Sequence, residues 1–271
     1  MKYDPIKRSL GVLFNKTPFL RQLFYKMLDV LLLRTWHVKK EVRLWASENK
    51  EGKADVLDAG SGFGQYSYFL SGVSKKWNIK GVDVKREQIE DCNSFFNKIN
   101  RENIKFEYAD LTNFASEKRY DLIISVDVME HILEDQKVFE GFYNTMNAGG
   151  MVLISTPSDQ GGSDVHDHDH DGGSFIDEHV RDGYNIEAIQ QQLKKAGFSK
   201  TEAYYTYGTP GKISWKLSMK YPIQALNITK LFFVLLPVYY ILVMPVAIIL
   251  NYFDLKINHK TGTGLLVKAW K

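Results

Sequence analysis

Residues 56–64 have the sequence Val-Leu-Asp-Ala-Gly-Ser-Gly-Phe-Gly, an apolar run that leads into three glycines at alternate positions. The residues that follow, Gln65 to Leu70, indicate the start of a helix. This pattern predicts a buried parallel strand, a tight turn and a helix N-terminus. Glycine suits such a turn because it adopts positive φ and lets the backbone approach a ligand without a Cβ. The N–H groups at the helix start favour an anionic group, so the stretch predicts a cradle for a small molecule.

The spacing of the glycines narrows the class of ligand. A dinucleotide fingerprint, G-x-G-x-x-G, would need its third glycine at Gln65. The glycines of this turn are instead Gly60, Gly62 and Gly64. An NAD-type oxidoreductase is therefore disfavoured, while a glycine-rich turn that binds no ligand stays open at this point.

Acidic residues recur where further predicted strands end. Asp83 ends a second strand about 20 residues after the turn, where a carboxylate can accept hydrogen bonds from both hydroxyls of a ribose. Asp110 follows a third strand, and Asp127 ends a fourth. Ligands of parallel sheets bind beyond the carboxyl ends of the strands, so these acids and Asp58 are predicted to surround one site. Taken alone, Asp83 is better explained as a surface acid at a strand end.

The order and spacing of these segments resemble the class I methyltransferases that depend on S-adenosylmethionine (SAM), in particular their ubiquinone-biosynthesis-like branch (methyltransferase type 11/12). The resemblance includes the sequence Asp-Val-Met-Glu-His-Ile at 127–132, and it covers residues 50–207 and the C-terminal strand. It implies SAM as the cofactor. It also implies that Asp110 accepts from the adenine amino group and that Leu111 packs on the ring. The residues predicted to hold the cofactor are Asp58, Gly60, Gly62, Gly64, Asp83, Val84, Asp110, Leu111 and Asp127.

Strands that alternate with helices predict β-α-β units and a doubly wound α/β fold. With the resemblance, the expected architecture is a Rossmann-like, mostly parallel seven-stranded sheet with an antiparallel C-terminal strand. N-terminal helices precede the sheet, and an apolar helical insert precedes its last strand. The predicted boundaries are 1–48 for the N-terminal amphipathic helices, 49–210 for the SAM-binding core, 211–260 for the insert and 261–271 for the last strand.

Composition excludes some function classes. The chain has 271 residues, 44% of them hydrophobic and 25% charged, which fits one large globular domain. A net charge of +3 gives no strong field for nucleic acid, so no nucleic-acid partner is predicted. The single cysteine, Cys92, excludes an internal disulfide and fits a reducing compartment. The N-terminal residues lack the pattern of a secretory signal.

Residues 18–45 indicate one or two amphipathic helices in which bulky apolar residues are mixed with arginine and lysine. The resemblance implies that such helices form a lid over the SAM pocket. Packing on the domain and contact with a membrane surface are both open for this stretch.

Residues 231–250 carry no charge, and a helix of that length would cross about 30 Å of hydrocarbon. A single crossing conflicts with the predicted topology, because the strands before and after the run belong to one sheet. Pro237 and Pro245 each disrupt helical hydrogen bonding, so the expectation is a broken helix pair or re-entrant hairpin that enters one leaflet. A buried cap over the active site and a dimer interface are the alternatives. The lysines that could meet anionic headgroups are Lys212, Lys216, Lys220, Lys230, Lys256 and Lys260.

Transfer of a methyl group from a sulfonium depends on alignment and the exclusion of water, and an oxygen acceptor also needs a base. The candidate bases near the strand ends are Glu130, His131, His166, His168, His170 and His179. His131 is favoured among them, with capping or packing of the next helix as its alternative role. The alternating His and Asp of residues 166–171 could bind a divalent metal. Because the two residue types would face opposite ways in an extended segment, a solvated loop is favoured and no metal site is predicted.

These patterns predict a SAM-dependent methyltransferase, peripheral or monotopic at the cytoplasmic face of the inner membrane, which it contacts through residues 211–260. The expected acceptor is lipophilic: a quinone-like ring, a lipid headgroup or a lipid-linked glycan. One alternative is a soluble methyltransferase of a small polar metabolite, with the insert as acceptor lid or dimer interface. Another is a non-catalytic SAM-fold subunit that recruits a partner to membranes, which the glycines and the acids at 58, 83 and 110 argue against. The oligomeric state is left open.

Overall fold

A computed structural model describes residues 17–49, 52–161, 180–229 and 231–271. The strands are β1 (Ala54–Ala59), β2 (Trp77–Asp83), β3 (Ile104–Tyr108), β4 (Tyr120–Val126), β5 (Met146–Pro157), β6 (Lys200–Thr206) and β7 (Gly264–Trp270). They form one sheet in the order β3-β2-β1-β4-β5-β7-β6. Neighbours from β3 to β5 are parallel, and β7 is antiparallel to both β5 and β6. The predicted mostly parallel sheet with an antiparallel C-terminal strand is confirmed.

Helices cover both faces of the sheet. They are α1 (Pro18–Leu31), α2 (Leu33–Glu48), α3 (Gln65–Val73), α4 (Arg86–Lys98), α5 (Asp135–Thr145), α6 (Ile186–Lys195), α7 (Thr209–Trp215), α8 (Tyr221–Ile228) and α9 (Phe232–Lys256). In β1, Val56 joins the core formed with α2, α3 and α4, whereas Leu57 joins the core formed with α5 and α6. Both side chains are fully buried. A strand buried on both faces is apolar at successive positions, which is why its sequence lacks alternation.

Residues 209–256 form a helical hairpin, called here the apolar hairpin, which leaves the sheet after β6 and returns to β7. Because β6 runs parallel to β5, both ends of this hairpin lie at the carboxyl edge of the sheet. Its first arm contains α7, a π-helical turn at Lys216–Lys220 and α8, and its second arm is α9. Tyr239 donates to the Leu217 carbonyl at 2.7 Å and Tyr240 to the Ser218 carbonyl at 3.0 Å, so the arms pack side by side.

The expected break at the prolines is wrong, since α9 runs unbroken through Pro237 and Pro245. Each proline removes only one ladder hydrogen bond, and both lie on the exposed side of α9, away from the first arm. Tyr239 and Tyr240 pack α9 against that arm, and the helix is continuous through both positions. The apolar run therefore packs against residues 209–228. The prolines instead predict that the run divides into two segments that pack against each other.

The outside of α9 is apolar from Phe233 to Phe253. The helix is long and apolar enough to cross a membrane, and only 6% of its most apolar 18-residue window is buried. Ile241 and Leu242 are 73% and 70% exposed. An apolar surface of this size on a water-soluble protein normally marks an interaction site.

Asp254 fixes the base of the apolar hairpin to the core. Its buried carboxylate accepts from the backbone N–H of Gly211 at 3.0 Å and of Tyr207 at 3.2 Å. His37 of α2 places Nε2 3.0 Å from Asp254 Oδ1, and His259 places Nε2 3.1 Å from Oδ2. One carboxylate thus joins α2, the end of β6 and both arms of the hairpin.

Candidate functional site

The turn between β1 and α3 is built from left-handed backbone. Gly60, Gly62 and Gly64 have φ of +86°, +52° and +83°. The N–H of Gly60 donates to the Val82 carbonyl at 2.9 Å, which ties the turn to the end of β2. Side chains with a Cβ rarely adopt these angles, so the glycine spacing seen in the sequence is explained by the backbone path.

The glycines of the turn differ in the space that lies beside them. A Cβ on Gly60 would lie 2.2 Å from Val128 Cγ2, so this glycine allows close packing of the turn on the β4 loop. A Cβ on Gly62 would meet only Gln88 Oε1, at 4.0 Å. Within the described part of the chain, the buried Ser61 Oγ has no hydrogen-bond partner. An open glycine beside an unpaired buried hydroxyl fits a polar ligand such as SAM.

Asp83 is held directly beside this turn. Its Oδ2 accepts from the Gly62 N–H at 2.9 Å, and its Oδ1 accepts from the Lys85 N–H at 2.9 Å. An ionised carboxylate has about four lone-pair sites, so it retains acceptor capacity for the two hydroxyls of a ribose. The neighbouring Val84 is 50% exposed and follows the strand end. Both residues lie at the carboxyl edge of the sheet beside the glycine turn, and their contact with a cofactor stays a prediction.

Asp110 and Leu111 follow β3 at the same edge. Asp110 Oδ1 accepts from the N–H and the hydroxyl of Thr112, at 2.9 and 2.8 Å, and caps a short 3-10 turn. This arrangement orients an exposed carboxylate at the sheet edge. Leu111 is 6% exposed and packs into the core. Its packing on an adenine ring stays a prediction.

Asp58 lies beneath the turn, where it is 2% exposed. Its Oδ2 accepts from the Ser67 hydroxyl at 2.5 Å, which fixes the first turn of α3. Burial raises the pKa of Asp58 to about 7, and the nearby charge of Asp83 adds to the shift. The structure shows a supporting role for Asp58 in holding the turn, and its direct contact with a cofactor stays a prediction.

The helix α1 covers the turn from outside. Tyr25 donates to the Phe63 carbonyl at 2.5 Å, and Arg21 donates to the same carbonyl at 2.7 Å. Arg21 also pairs with Asp91 of α4 at 2.6 Å. The sequence predicts a lid in this region but does not single out these side chains. Their spacing of four residues on one face of a polar-apolar helix is the signal that could have found them.

Asp127 meets an arginine from the N-terminal helices. Its backbone has φ of +54°, an uncommon angle for a residue with a Cβ, and such angles cluster at functional sites. Asp127 Oδ2 lies 2.5 Å from the Arg34 guanidinium, and the Arg34 backbone N–H donates to the Tyr207 hydroxyl at 3.0 Å. Burial alone would lower the pKa of Arg34, but Asp127 raises it overall. Sequence reasoning missed Arg34 because its partner is 93 residues away.

Glu130 and His131 are neighbours that face different surroundings. Glu130 is 1% exposed and accepts from the Thr156 hydroxyl at 3.1 Å. Burial, with the negative charge of Asp127, raises the pKa of Glu130 to about 8. The side chain of His131 is exposed, on the 3-10 turn at Met129–His131. The role of His131 as the base stays a prediction, and Glu130 is the inner alternative.

The alternating His and Asp of residues 166–171, considered above as possible metal ligands, lie outside the described residues. His179 also lies outside them. Among residues 17–49, 52–161, 180–229 and 231–271, no group of three or more His, Cys, Asp or Glu could hold a metal ion.

Residues 50–220 match a family model described as a methyltransferase domain. The chain is similar to a (S)-coclaurine N-methyltransferase of Papaver somniferum, 26% identical over 149 residues that cover 55% of this chain and 39% of the relative. It is also similar to a ubiquinone biosynthesis O-methyltransferase of Rickettsia akari, 27% identical over 104 residues that cover 38% of this chain and 40% of the relative. The chain thus matches about two fifths of the length of these curated relatives.

A solved structure extends the likeness of fold beyond the sheet core. It is that of a SAM-dependent methyltransferase from Clostridium acetobutylicum, to which this chain is similar with a TM-score of 0.59 and 16% identity. The alignment covers 92% of this chain and 98% of that one. At this identity the comparison establishes shared architecture only.

Proposed function

The chain belongs to the methyltransferase domain family, and from that premise we propose that it methylates a lipophilic acceptor at a membrane surface, with SAM as the methyl donor. The acceptor class proposed is a quinone-like ring, a lipid headgroup or a lipid-linked glycan. We place the protein at the cytoplasmic face of the membrane. Its single cysteine cannot form an internal disulfide, which fits a reducing compartment.

The cofactor side of the proposal rests on the turn after β1. Bound SAM would supply a methyl group already activated by its sulfonium. Asp83 would accept from the ribose hydroxyls, and the exposed carboxylate of Asp110 would accept from the adenine amino group. The α1 side chains Arg21 and Tyr25 hold the outer wall of the turn, so that water has less access to it.

The acceptor side rests on the cluster at the end of β4. Asp127 and Arg34 present a paired carboxylate and guanidinium that can orient a polar group of the acceptor. A hydroxyl acceptor must also lose a proton, and either His131 or Glu130 would take it. A carboxyl group with a pKa near 8 is well matched to that task near neutral pH.

The observation that carries the lipophilic acceptor is the apolar hairpin. The exposed side of α9 is apolar from Phe233 to Phe253, and the hairpin starts and ends at the same sheet edge as the proposed cofactor site. The only acid within residues 209–256 is Asp254, which is buried, whereas Lys212, Lys216, Lys220 and Lys256 lie along the two arms. Insertion of the apolar surface with lysines near the headgroups is favourable for an anionic membrane. The hairpin would thus bring the site to the surface where lipophilic acceptors lie.

The test is co-flotation of the purified full chain with phosphatidylcholine vesicles that contain phosphatidylglycerol. We expect the wild type to float with the vesicles and Ile241→Glu/Leu242→Glu to remain mostly below. The matched control is Leu44→Glu/Ser47→Glu, which adds the same charge to exposed positions of α2. Methyl transfer from labelled SAM into a membrane lipid extract should be similar for the wild type and the control, and lower for Ile241→Glu/Leu242→Glu. A wild type that is soluble without detergent and ignores vesicles would overturn the proposal in favour of a soluble metabolite methyltransferase.

A further inference from the structure

A second apolar surface lies on α1. Phe19, Leu23, Met27 and Val30 are 72%, 41%, 43% and 41% exposed. Their spacing of four, four and three residues places them along one side of the helix. We call this set the α1 stripe. Single exposed apolar residues are ordinary, but four in line on the lid of a site are a contiguous surface.

The α1 stripe lies at the same sheet edge as the apolar hairpin. The inner side of α1 is fixed to the turn after β1, through Arg21 and Tyr25. At the other end of α1, the chain enters α2 beside the hairpin base, where a Cβ on Gly211 would lie 2.6 Å from Leu33 Cδ2. The stripe and the hairpin therefore flank the proposed SAM site from two sides.

The charges around the α1 stripe suit an anionic surface. Lys26 is exposed beside the stripe. The one acid of α1, Asp29, turns toward the core, where it pairs with Lys39 and accepts from Gln65 Nε2 at 3.0 Å. The outer side of α1 is thus apolar and basic, the combination that binds the interface of anionic membranes.

The size of the α1 stripe disfavours a second protein chain as its occupant. Four partly exposed side chains offer roughly 300 Å², whereas each partner of a standard protein interface buries about 800 Å². A bilayer needs no matching shape, and a short stripe adds usefully to a contact that the hairpin already makes.

We propose that the α1 stripe is a second membrane contact, which enters the headgroup region of an anionic bilayer while the apolar hairpin enters beside it. This proposal rests on the proposed function. With both contacts made, the turn after β1 faces the membrane and the reacting atom of the acceptor lies close to headgroup depth. The acceptor class is then narrowed to lipids whose reactive group is at or near the polar surface, with the apolar tail left in the bilayer.

The test uses single cysteines labelled with a polarity-sensitive fluorophore in the full chain. The native Cys92 is fully buried, so an exposed engineered cysteine is labelled selectively. The probe positions are Leu23→Cys on the stripe, Leu242→Cys on the hairpin and Leu44→Cys on α2 as the matched control. The fluorescence emission of each labelled protein is recorded before and after phosphatidylcholine–phosphatidylglycerol vesicles are added. Quenching by brominated lipid measures the depth of the probe in the bilayer.

We expect probes at 23 and 242 to shift to the blue and to be quenched, and the probe at 44 to do neither. In parallel, Leu23→Glu/Met27→Glu should weaken vesicle affinity about tenfold, against no change for Leu44→Glu/Ser47→Glu. A probe at 242 that enters while the probe at 23 stays in water overturns this inference and leaves the proposed function standing. If neither probe enters the bilayer, this inference and the proposed function are both wrong. A probe at 23 that is blue-shifted before vesicles are added also overturns the inference, because residues 1–16 or a second copy already cover the stripe.

Discussion

A substitution at Gly62 should lower the affinity for SAM much more than the stability of the fold. It has φ of +52° and open space where a Cβ would point, so Gly62→Ala should destabilise the fold by only about 1 kcal/mol. The added methyl group would lie in the cradle, so affinity for SAM should fall at least tenfold. Calorimetry with S-adenosylhomocysteine and thermal unfolding measure the two effects separately.

Gly52→Ala is the matched control for that change. Gly52 has φ of +66° and nothing within 4 Å of the position that a Cβ would take, but it precedes β1 at the opposite edge. It should lose similar stability and keep its affinity. Equal affinity in both variants would show that Gly62 does not face the cofactor.

Asp83 is expected to contribute through its remaining lone pairs. Asp83→Asn keeps one acceptor oxygen for the Gly62 N–H but loses the charge, and Asp83→Ala removes both functions. Charge-assisted hydrogen bonds contribute about 1.5–3 kcal/mol, so Asp83→Ala should weaken SAM binding roughly tenfold to a hundredfold and Asp83→Asn less. The control is Glu107→Ala, an exposed acid paired with Lys80 on the neighbouring strand. An unchanged affinity in Asp83→Ala would remove this residue from the site.

Glu130 and His131 can be told apart by their response to pH. A base must be deprotonated to accept a proton, and the pKa of Glu130 is raised to about 8 by burial and by Asp127. If Glu130 is the base, kcat/KM should rise about tenfold per pH unit below pH 8 and level off above it. Glu130→Gln should abolish this slope, and His131→Gln should leave it in place. If His131→Gln abolishes the slope and Glu130→Gln leaves it in place, His131 is the base.

The residue-level site was partly predictable from sequence. The three glycines and the acids at strand ends follow from local spacing along β-α units, which is why they could be named. Arg34 could not, because its partner lies 93 residues along the chain. The four-residue spacing of Arg21 and Tyr25 could have singled them out, but their partners are 38 or more residues away and could not be named. Helical periodicity fixes which side of α1 is buried but carries no information about which carbonyl or carboxylate it will face.

At the scale of elements, the apolar hairpin shows where sequence reasoning is limited. Absence of charge and the two prolines are properties of residues 231–250 alone. The element that pairs with them, residues 209–228, is less apolar and contains three lysines, so composition did not group the two arms. Tertiary packing by Tyr239 and Tyr240 decides the continuity of α9, in place of the local penalty at proline.

The hairpin base should depend on Asp254. Asp254→Ala leaves two backbone N–H groups and two histidines without their shared acceptor. Breaking one partner of a buried polar cluster costs about 3–5 kcal/mol, so unfolding should occur at clearly lower temperature or denaturant concentration. Limited proteolysis should cut first near residues 207–211 and 257–262. Glu107→Ala, at an exposed ion pair, should cost less than about 1 kcal/mol. Similar losses in both variants would show that the base is not held by Asp254.

At the scale of the molecule, the hairpin and the sheet are joined at one narrow point. The Tyr207 carbonyl accepts from the Thr263 N–H at 3.3 Å, and β6 pairs antiparallel with β7 directly beyond it. Replacing residues 208–262 by Asn-Gly would turn the two strands into a simple β-hairpin. We expect this variant to keep the sheet and its affinity for SAM, to lose flotation with vesicles, and to be less stable because Leu33 and His37 of α2 become exposed.

The matched comparison for that deletion is Ile241→Glu/Leu242→Glu, which keeps the hairpin and removes part of its apolar surface. If the shortened chain fails to bind SAM while the glutamate variant binds it, the hairpin base is part of the cofactor domain. The mostly parallel sheet with an antiparallel C-terminal strand was predictable, since strand–helix alternation restricts the topology and the family resemblance implies the last strand. The direction and packing of a 48-residue insertion were not, because they depend on contacts with α2 that lie far off in sequence.

The position of β7 also affects how the chain reaches its native state. This strand lies between β5 and β6, yet it follows the apolar hairpin in the chain. Until β7 arrives, β5 and β6 have no partner between them, and both present open edges that invite aggregation. Pairings between segments so far apart form slowly, and during synthesis the hairpin emerges before the strand that completes the sheet. If the hairpin binds a membrane as proposed, it is available to lipid while the sheet is still open, so lipid encounter and completion of the fold become competing kinetic events.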